Sequence, residues 1–201
     1  MKPDEVIYAK FWLRAPAVII DGIIFGGLSL LILPLANYSF ASYIVSTYLL
    51  AILTLAFKVF FLVKFGATPG KLVMKIKIVK TSFEPISYKE AFLRLSVNTL
   101  FIVLFLVAIT IAFKSLSYET YRVMSFLEKG RYMVKFYPSW FNYNKILIIL
   151  WNFGNLTSLL LNNKRRALHD FIAGTVVIDC KTMSENLKEQ EEPKGKMGFH
   201  A

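Results

Sequence analysis

The chain has 201 residues, 56% of them hydrophobic, and a formal net charge of +11. A soluble domain carries about 45–50% apolar residues; here the excess falls in long runs, with a mean hydropathy of +0.52, which excludes an ordinary soluble domain and points to an integral membrane protein. The basic residues flank those runs as topology signals do, without a zinc-finger or RNA-binding motif, which excludes nucleic acid as the partner of the charge, and the single cysteine, Cys180, excludes an intrachain disulfide or a cysteine-rich metal site.

The first apolar run, RAPAVIIDGIIFGGLSLLILPLA, begins at Arg14 and holds Asp21. About 22 residues suffice to cross a bilayer core. The run is too long for a signal peptide and no small-residue cleavage motif follows, so it is expected to stay as the first span. A carboxylate inside a span is costly unless it faces a partner or water, which makes Asp21 a candidate functional residue. Residues seven apart return to one helix face about 10 Å apart along the axis, so Arg14 is the candidate partner of Asp21. Three roles for Asp21 stay open: fixing helix packing through a basic partner, titrating or binding an ion, or facing a water-filled crevice. Gly22, Gly26 and Gly27 follow it and suit a seam where another helix approaches closely.

The second run is about Tyr43 to Val63, with Lys58 near its inner end, able to snorkel to the surface or to form a salt bridge with Asp21. Then comes GATPGKLVMKIKIVK. Gly66, Pro69 and Gly70 predict a tight exit turn, and the alternation at Lys75, Ile76, Lys77 and Ile78 predicts a strand. GATPGK is not a phosphate loop: a Walker motif needs four residues between the glycines and Ser or Thr after the lysine, where this chain has three residues and Leu72. Ser87 and Glu90 form a capping box that starts the third helix near Tyr88. That run extends over about Ala91 to Phe113, with Arg94 one turn in and Asn98 deeper. In the segment between 114 and 144, SLSYETYRVMSFLEK fits either an amphipathic surface helix or a solvated loop. The fourth run is about Ile146 to Leu161, extendable to Tyr143. Asn152 and Asn155 share one of its faces. Trp12, Trp140 and Trp151 suit interface positions, or Trp151 lies within the span.

The chain then reads NNKRRALHDFIAGTVVI. Arg166 and Asp170 are four apart and can pair on one helix face. Either Lys164, Arg165 and Arg166 anchor the span with Asp170 balancing them, or Asp170 reaches Arg94 or Arg14 and closes a charged cluster under the bundle. His169 is either a proton shuttle or an interface residue. Thr175 to Ile178 is a second strand candidate, able to pair with the first. Residues 181–201 form a charged tail expected to be disordered.

Lys and Arg concentrate before the first run, between Lys64 and Lys89, and after Leu161, which places both termini and the 64–90 segment in the cytoplasm. The 114–144 segment would then lie outside despite its five basic residues. No catalytic set is present: there is no HExxH or GxSxG motif and no paired carboxylates within one segment. No enzyme activity, metal or cofactor is therefore expected.

Taken in order, Arg14, Asp21, GATPGKLVMKIKIV and RRALHDFIAGTVV resemble the RDD family of membrane proteins, named for one arginine and two aspartates. The resemblance runs from about Tyr8 to Ile178 and matches Arg14, Asp21 and Asp170 to those three residues. It implies a membrane domain more firmly than an activity, for which the family's description offers a role in transport. The resulting expectation is an all-α membrane protein: a four-transmembrane-helix bundle with a small cytoplasmic strand pair, over residues 1–180. It would sit in a bacterial inner membrane. A small ion or ligand would be held by Arg14, Asp21, Asp170 and Arg94, in a homo-oligomer, because four spans are few for a complete carrier and no internal repeat is visible. The alternative is a membrane-embedded assembly or regulatory factor whose charged cluster only holds the fold.

Overall fold

The computed structural model describes residues 6–32 and 39–182. Among them are eight helices and two strands: α1 Phe11–Ile32, α2 Phe40–Phe65, α3 Pro69–Val73, β1 Ile76–Lys80, α4 Tyr88–Lys114, α5 Tyr118–Arg122, α6 Phe126–Val134, α7 Phe141–Leu161, α8 Leu168–Ile172 and β2 Thr175–Asp179. Four stretches are long and apolar enough to span a membrane: Phe11–Leu31, Ala41–Val73, Tyr88–Lys114 and Phe141–Leu161. Their outward side chains, among them Leu31, Ile52, Leu100 and Ile149, are exposed apolar groups. A surface of this kind on every long helix is stable only against lipid.

Local chemistry sets where these helices begin and end. At the start of α4 the Ser87 amide donates to Glu90 Oε2 at 2.7 Å, which completes the expected capping box. Gly66 ends α2 in the left-handed region at φ 69°, and its N–H donates to the Leu62 carbonyl. A side chain there would also meet Lys77, 2.8 Å from an added Cβ. The Gly66 carbonyl accepts from the Ile78 N–H at 2.7 Å, so the helix end is tied directly to β1.

The strands pair antiparallel, Ile76 opposite Asp179 and Lys80 opposite Thr175. The N-terminal segment lies along the other edge of β2: the Asp179 N–H donates to the Ile7 carbonyl and the Ala9 N–H to the Val177 carbonyl. That makes β2 central, and all five of its residues are buried, as a strand covered on both faces requires. One face packs Ile76, Ile78 and Val177 onto Ala17, Leu62 and Ala91 from the helices and Ala9 from the N-terminal segment. At the opposite end of the bundle, α5 and α6 fold back over the helix ends through Tyr121 and Met133 against Ile109 and Ala112. The 114–144 segment is thus neither one amphipathic helix nor a solvated loop, but two short helices around an aromatic cluster.

Two expectations need correction. The fourth long helix starts at Phe141, earlier than its apolar run, because polar Asn142, Asn144 and Lys145 still occupy helical positions. The glycine face of α1 is not a packed seam within the protomer: a Cβ added at Gly22, Gly26 or Gly27 would meet nothing within 4 Å. The close approach occurs at Gly70 instead, where an added Cβ would lie 2.1 Å from the Ala17 backbone oxygen. Gly70→Ala should therefore destabilise the protein by about 1–3 kcal/mol through overpacking, while Gly26→Ala should be neutral. Thermal unfolding of the two detergent-solubilised variants checks this pair.

Candidate functional site

The strand-bearing end of the bundle is organised around one carboxylate. Asp170, in the short helix α8, is completely buried. Its Oδ2 accepts from Arg14 Nη1 at 3.0 Å and from the Ala167 N–H at 2.9 Å. Its Oδ1 accepts from Arg94 Nη1, which also donates to Thr175 Oγ1 at 2.7 Å. Arg14 uses its remaining donors on the carbonyls of Ala9 at 3.2 Å and Arg165 at 2.6 Å. The two guanidiniums thus connect α1, α4, the segment before α8 and the start of β2 through a single anion. The expected Arg14–Asp21 pair does not form, because Asp170 and two backbone carbonyls occupy the Arg14 guanidinium. Nor does Arg166 pair with the Asp170 side chain. It donates to the backbone carbonyls of Asp170 and Thr175 at 3.0 and 3.1 Å and stacks its guanidinium on Phe171.

His169 lies beside this cluster. Its Nδ1 faces Asn155 Oδ1 at 2.7 Å, and its Nε2 faces Arg94 Nη2 at 3.0 Å. Because Arg94 can only donate, Nε2 is the acceptor and Nδ1 carries the proton. Burial, reinforced by Arg94 and opposed by Asp170, pushes the imidazole down to about 3. Neutral throughout the physiological range, His169 positions Arg94 and Asn155 and does not serve as a shuttle there. Burial alone would raise Asp170, but Arg94, Arg14 and the Ala167 N–H outweigh it and hold the carboxyl below the usual range.

Asp21 has a separate task. Its Oδ1 accepts from the Gly70 N–H at 2.8 Å and its Oδ2 from Thr68 Oγ1 at 2.6 Å. Pro69 opens α3 and has no N–H. The next free donor is that of Gly70, and Asp21 reaches it from α1, capping α3 across the interface with a charge that suits a helix N-terminus. Lys71 Nζ lies 3.9 Å from Asp21 and donates to Thr68 Oγ1 at 3.2 Å.

Between α1, α2, α4 and α7 lies a cavity of about 500 Å³, bordered by Asp21, Lys58, Lys71, Arg94, Asn98 and Asn152 among others. This volume falls in the range of about 300–1,000 Å³ usual for small-molecule sites. Trp151 lies inside α7 rather than at an interface, and its indole N–H donates to Asn98 Oδ1 at 3.1 Å. Lys58 Nζ sits 4.9 Å over the Phe25 ring and makes no hydrogen bond or ion pair among the described residues. Toward the inner end of its span a lysine costs less than the value of about 2.5–3.5 kcal/mol at a span centre, and the contact with Phe25 recovers about 0.5–2 kcal/mol. While α1 packs on α2 and α3, and α4 on α2 and α7, no comparable contact joins α1 to α7. The exposed side chain of Asn152 lies on the α7 side of this opening.

Sequence reasoning reached Arg14, Arg94 and Asp170 and marked Asn98, Asn152 and Asn155 as polar groups inside the spans. It missed Thr68, the Gly70 N–H and Thr175. The Thr-Pro-Gly order was the available signal for the first two, since it sets an N-cap, a prolyl first turn and an uncapped donor in sequence.

The fold and this charged end define a class: a four-span membrane protein whose first and third long helices are tied by arginines to an aspartate beyond the fourth. Residues 8–174 match the model of the RDD family, and the chain belongs to that family of membrane proteins. No curated protein matches the chain, and no solved structure does.

Two outcomes follow from this geometry. Asp170→Asn leaves two buried guanidiniums without their anion and should cost about 3–5 kcal/mol, read as a large loss of thermal stability or of folded protein. The second concerns pH. His169 stays neutral in the fold while its unfolded counterpart takes up a proton below pH 6.5, so its stabilising contribution is complete above 6.5 and is lost as pH falls toward about 3. Asp170, held low, keeps its contribution until pH drops below its ordinary value of 3.8. Melting temperature should therefore decline from pH 6.5 downward, and His169→Gln should flatten that decline between pH 6.5 and about 5.

Proposed function

We propose that the protein binds a small ion or ligand in the cavity between α1, α2, α4 and α7 and carries it across the membrane. The observation that carries this reading is the cavity itself: charged and amide side chains from all four long helices border one space inside an otherwise apolar bundle. Polar groups at this depth are retained mainly where they pair with one another or contact a substrate. In this proposal Arg14, Arg94 and Asp170 hold the inner end of the bundle, Asp21 fixes α3 and with it Lys71, and Lys58 and Asn152 meet the ligand. The protein is a carrier rather than an enzyme.

The same reading places the strand-bearing end in the cytoplasm, with both termini, in a bacterial inner membrane. Support comes from the basic residues of 64–89 and 164–166, which attach to that end. A homo-oligomer would close the side left open between α1 and α7. A second reading is a membrane-embedded assembly or regulatory factor. It is favoured by the saturation of Asp170, whose oxygens are all occupied by protein donors and which therefore acts as a fixed brace.

Asn152→Leu distinguishes the two. Its side-chain amide donates only to the Ile148 carbonyl one turn back, so replacing it should not disturb the fold. With the folded protein in proteoliposomes, flux of Na⁺, K⁺, H⁺ or inorganic phosphate above protein-free vesicles, reduced at least several-fold by Asn152→Leu at unchanged melting temperature, is the expected result. Absence of all four fluxes from folded wild type contradicts transport of a small inorganic ion and favours the brace.

A further inference from the structure

The cavity is rich in donors and poor in free acceptors. Both oxygens of Asp21 are engaged by Gly70 and Thr68. Asn98 Oδ1 accepts from Trp151, and Asn155 Oδ1 accepts from His169. The imidazole offers nothing more, since its acceptor nitrogen faces Arg94. Donors are left over: the Lys58 ammonium has no hydrogen-bond partner among the described residues, Lys71 spends one N–H on Thr68, and the Asn98 amide nitrogen is free once its oxygen is taken.

Charge points the same way. Arg14, Arg94, Lys71 and Lys58 meet only two carboxylates, Asp170 and Asp21, in the cavity and directly behind it. Arg14 and Arg94 share one anion, Lys71 lies against Asp21, and Lys58 makes no ion pair among the described residues, sharing with Lys71 the field of the one Asp21 carboxylate. A cation entering here would find the oxygens of Asp21, Asn98 and Asn155 engaged, with the Asn152 amide oxygen the uncommitted side-chain acceptor among the described residues, and a surplus of positive charge. An anion would find the complement of both. The remaining wall includes Phe25, Leu95 and Trp151, an apolar surface for a body carried with the charged group.

We infer that the cavity takes an amphiphilic anion, one phosphate or carboxylate on an apolar body, with Lys58 and Lys71 meeting the charge and Phe25, Leu95 and Trp151 the body. This rests on the reading of the cavity as a ligand site and names the chemical class of its ligand. An anionic phospholipid and a free alkyl phosphate share this chemistry. Lys58 is the selective element, because its ammonium makes no hydrogen bond or ion pair among the described residues and rests only over the Phe25 ring.

The test uses the purified full chain in a non-ionic detergent. Native mass spectrometry compares phosphatidylglycerol with phosphatidylcholine, and calorimetry compares hexyl phosphate with hexylammonium. The expected result is at least tenfold tighter binding of one or both anionic probes than of their counterparts. Lys58→Met should weaken that binding at least tenfold at unchanged melting temperature, and Lys58→Arg should restore it. Preference for phosphatidylglycerol alone identifies a lipid ligand, and hexyl phosphate binding a free anion. Tighter binding of hexylammonium overturns the anion assignment while keeping the cavity as a ligand site. Anion binding indifferent to Lys58→Met also overturns it. If no probe binds, the inference fails, and the flux test on Asn152→Leu then decides separately whether the cavity is a ligand site at all.

Discussion

The Asp170 carboxylate has no access to solvent and is held by two guanidiniums and a backbone N–H. A lone buried charge would be prohibitive, and so would either arginine without it; together they satisfy one another with hydrogen bonds on both oxygens. The sequence separations give this contact its structural weight. Arg14 is at the start of the first span, Arg94 at the start of the third, and Asp170 beyond the fourth. Closing the cluster brings the N-terminal segment alongside β2 and sets β2 beside β1. It also fixes the ends of three long helices, which bury little apolar surface against one another. In a bilayer, helix association gains little from the hydrophobic effect, so polar contacts of this kind take a larger share of the work.

A second polar contact divides the labour. Asp21 caps α3 rather than joining the Asp170 cluster, and Gly70 makes room by letting α3 touch the backbone of α1 at Ala17. The result holds Lys71 beside Asp21 at the cavity wall. Structure and proposed function therefore occupy adjacent layers. The saturated Asp170 layer is rigid, whereas the layer just above it contains Lys58 and Asn98, whose donors are not all used. Asn155 and His169 lie between the two, taking Arg94 on one side and bordering the cavity on the other.

Much of the fold could be read from local chemistry. The Ser87–Glu90 capping box placed the start of α4 at Tyr88, and the alternation at Lys75–Ile78 marked the strand found at Ile76–Lys80. Four apolar runs gave four long helices, because span length is a property of the segment alone. Contacts across the sequence were less legible. Spacing on one helix suggested Arg14 with Asp21, but heptad proximity is weak beside a bidentate demand from a fully buried carboxylate elsewhere in the chain. Of the alternatives for Asp170, the closed cluster is the one observed, and it includes both Arg14 and Arg94. Likewise, Gly22, Gly26 and Gly27 suggested a helix seam, while the true close approach required a backbone from the segment after α2. The α5–α6 cap depends on aromatic packing at Tyr121 and Tyr137, which has no short-range period to reveal it.

Asp170 and its arginines act as one unit that holds the membrane domain together. A double-mutant cycle on unfolding stability, using Arg94→Leu, Asp170→Leu and the pair, tests it most directly. Arg94→Leu leaves Asp170 to Arg14 and the Ala167 N–H, Asp170→Leu leaves both guanidiniums without their anion, and the double replacement leaves Arg14 alone unpaired. The loss in the double variant should fall well below the sum of the single losses, with a coupling in the range of about 0.5–3 kcal/mol. Strictly additive losses would contradict it and show that the arginine and the aspartate contribute independently.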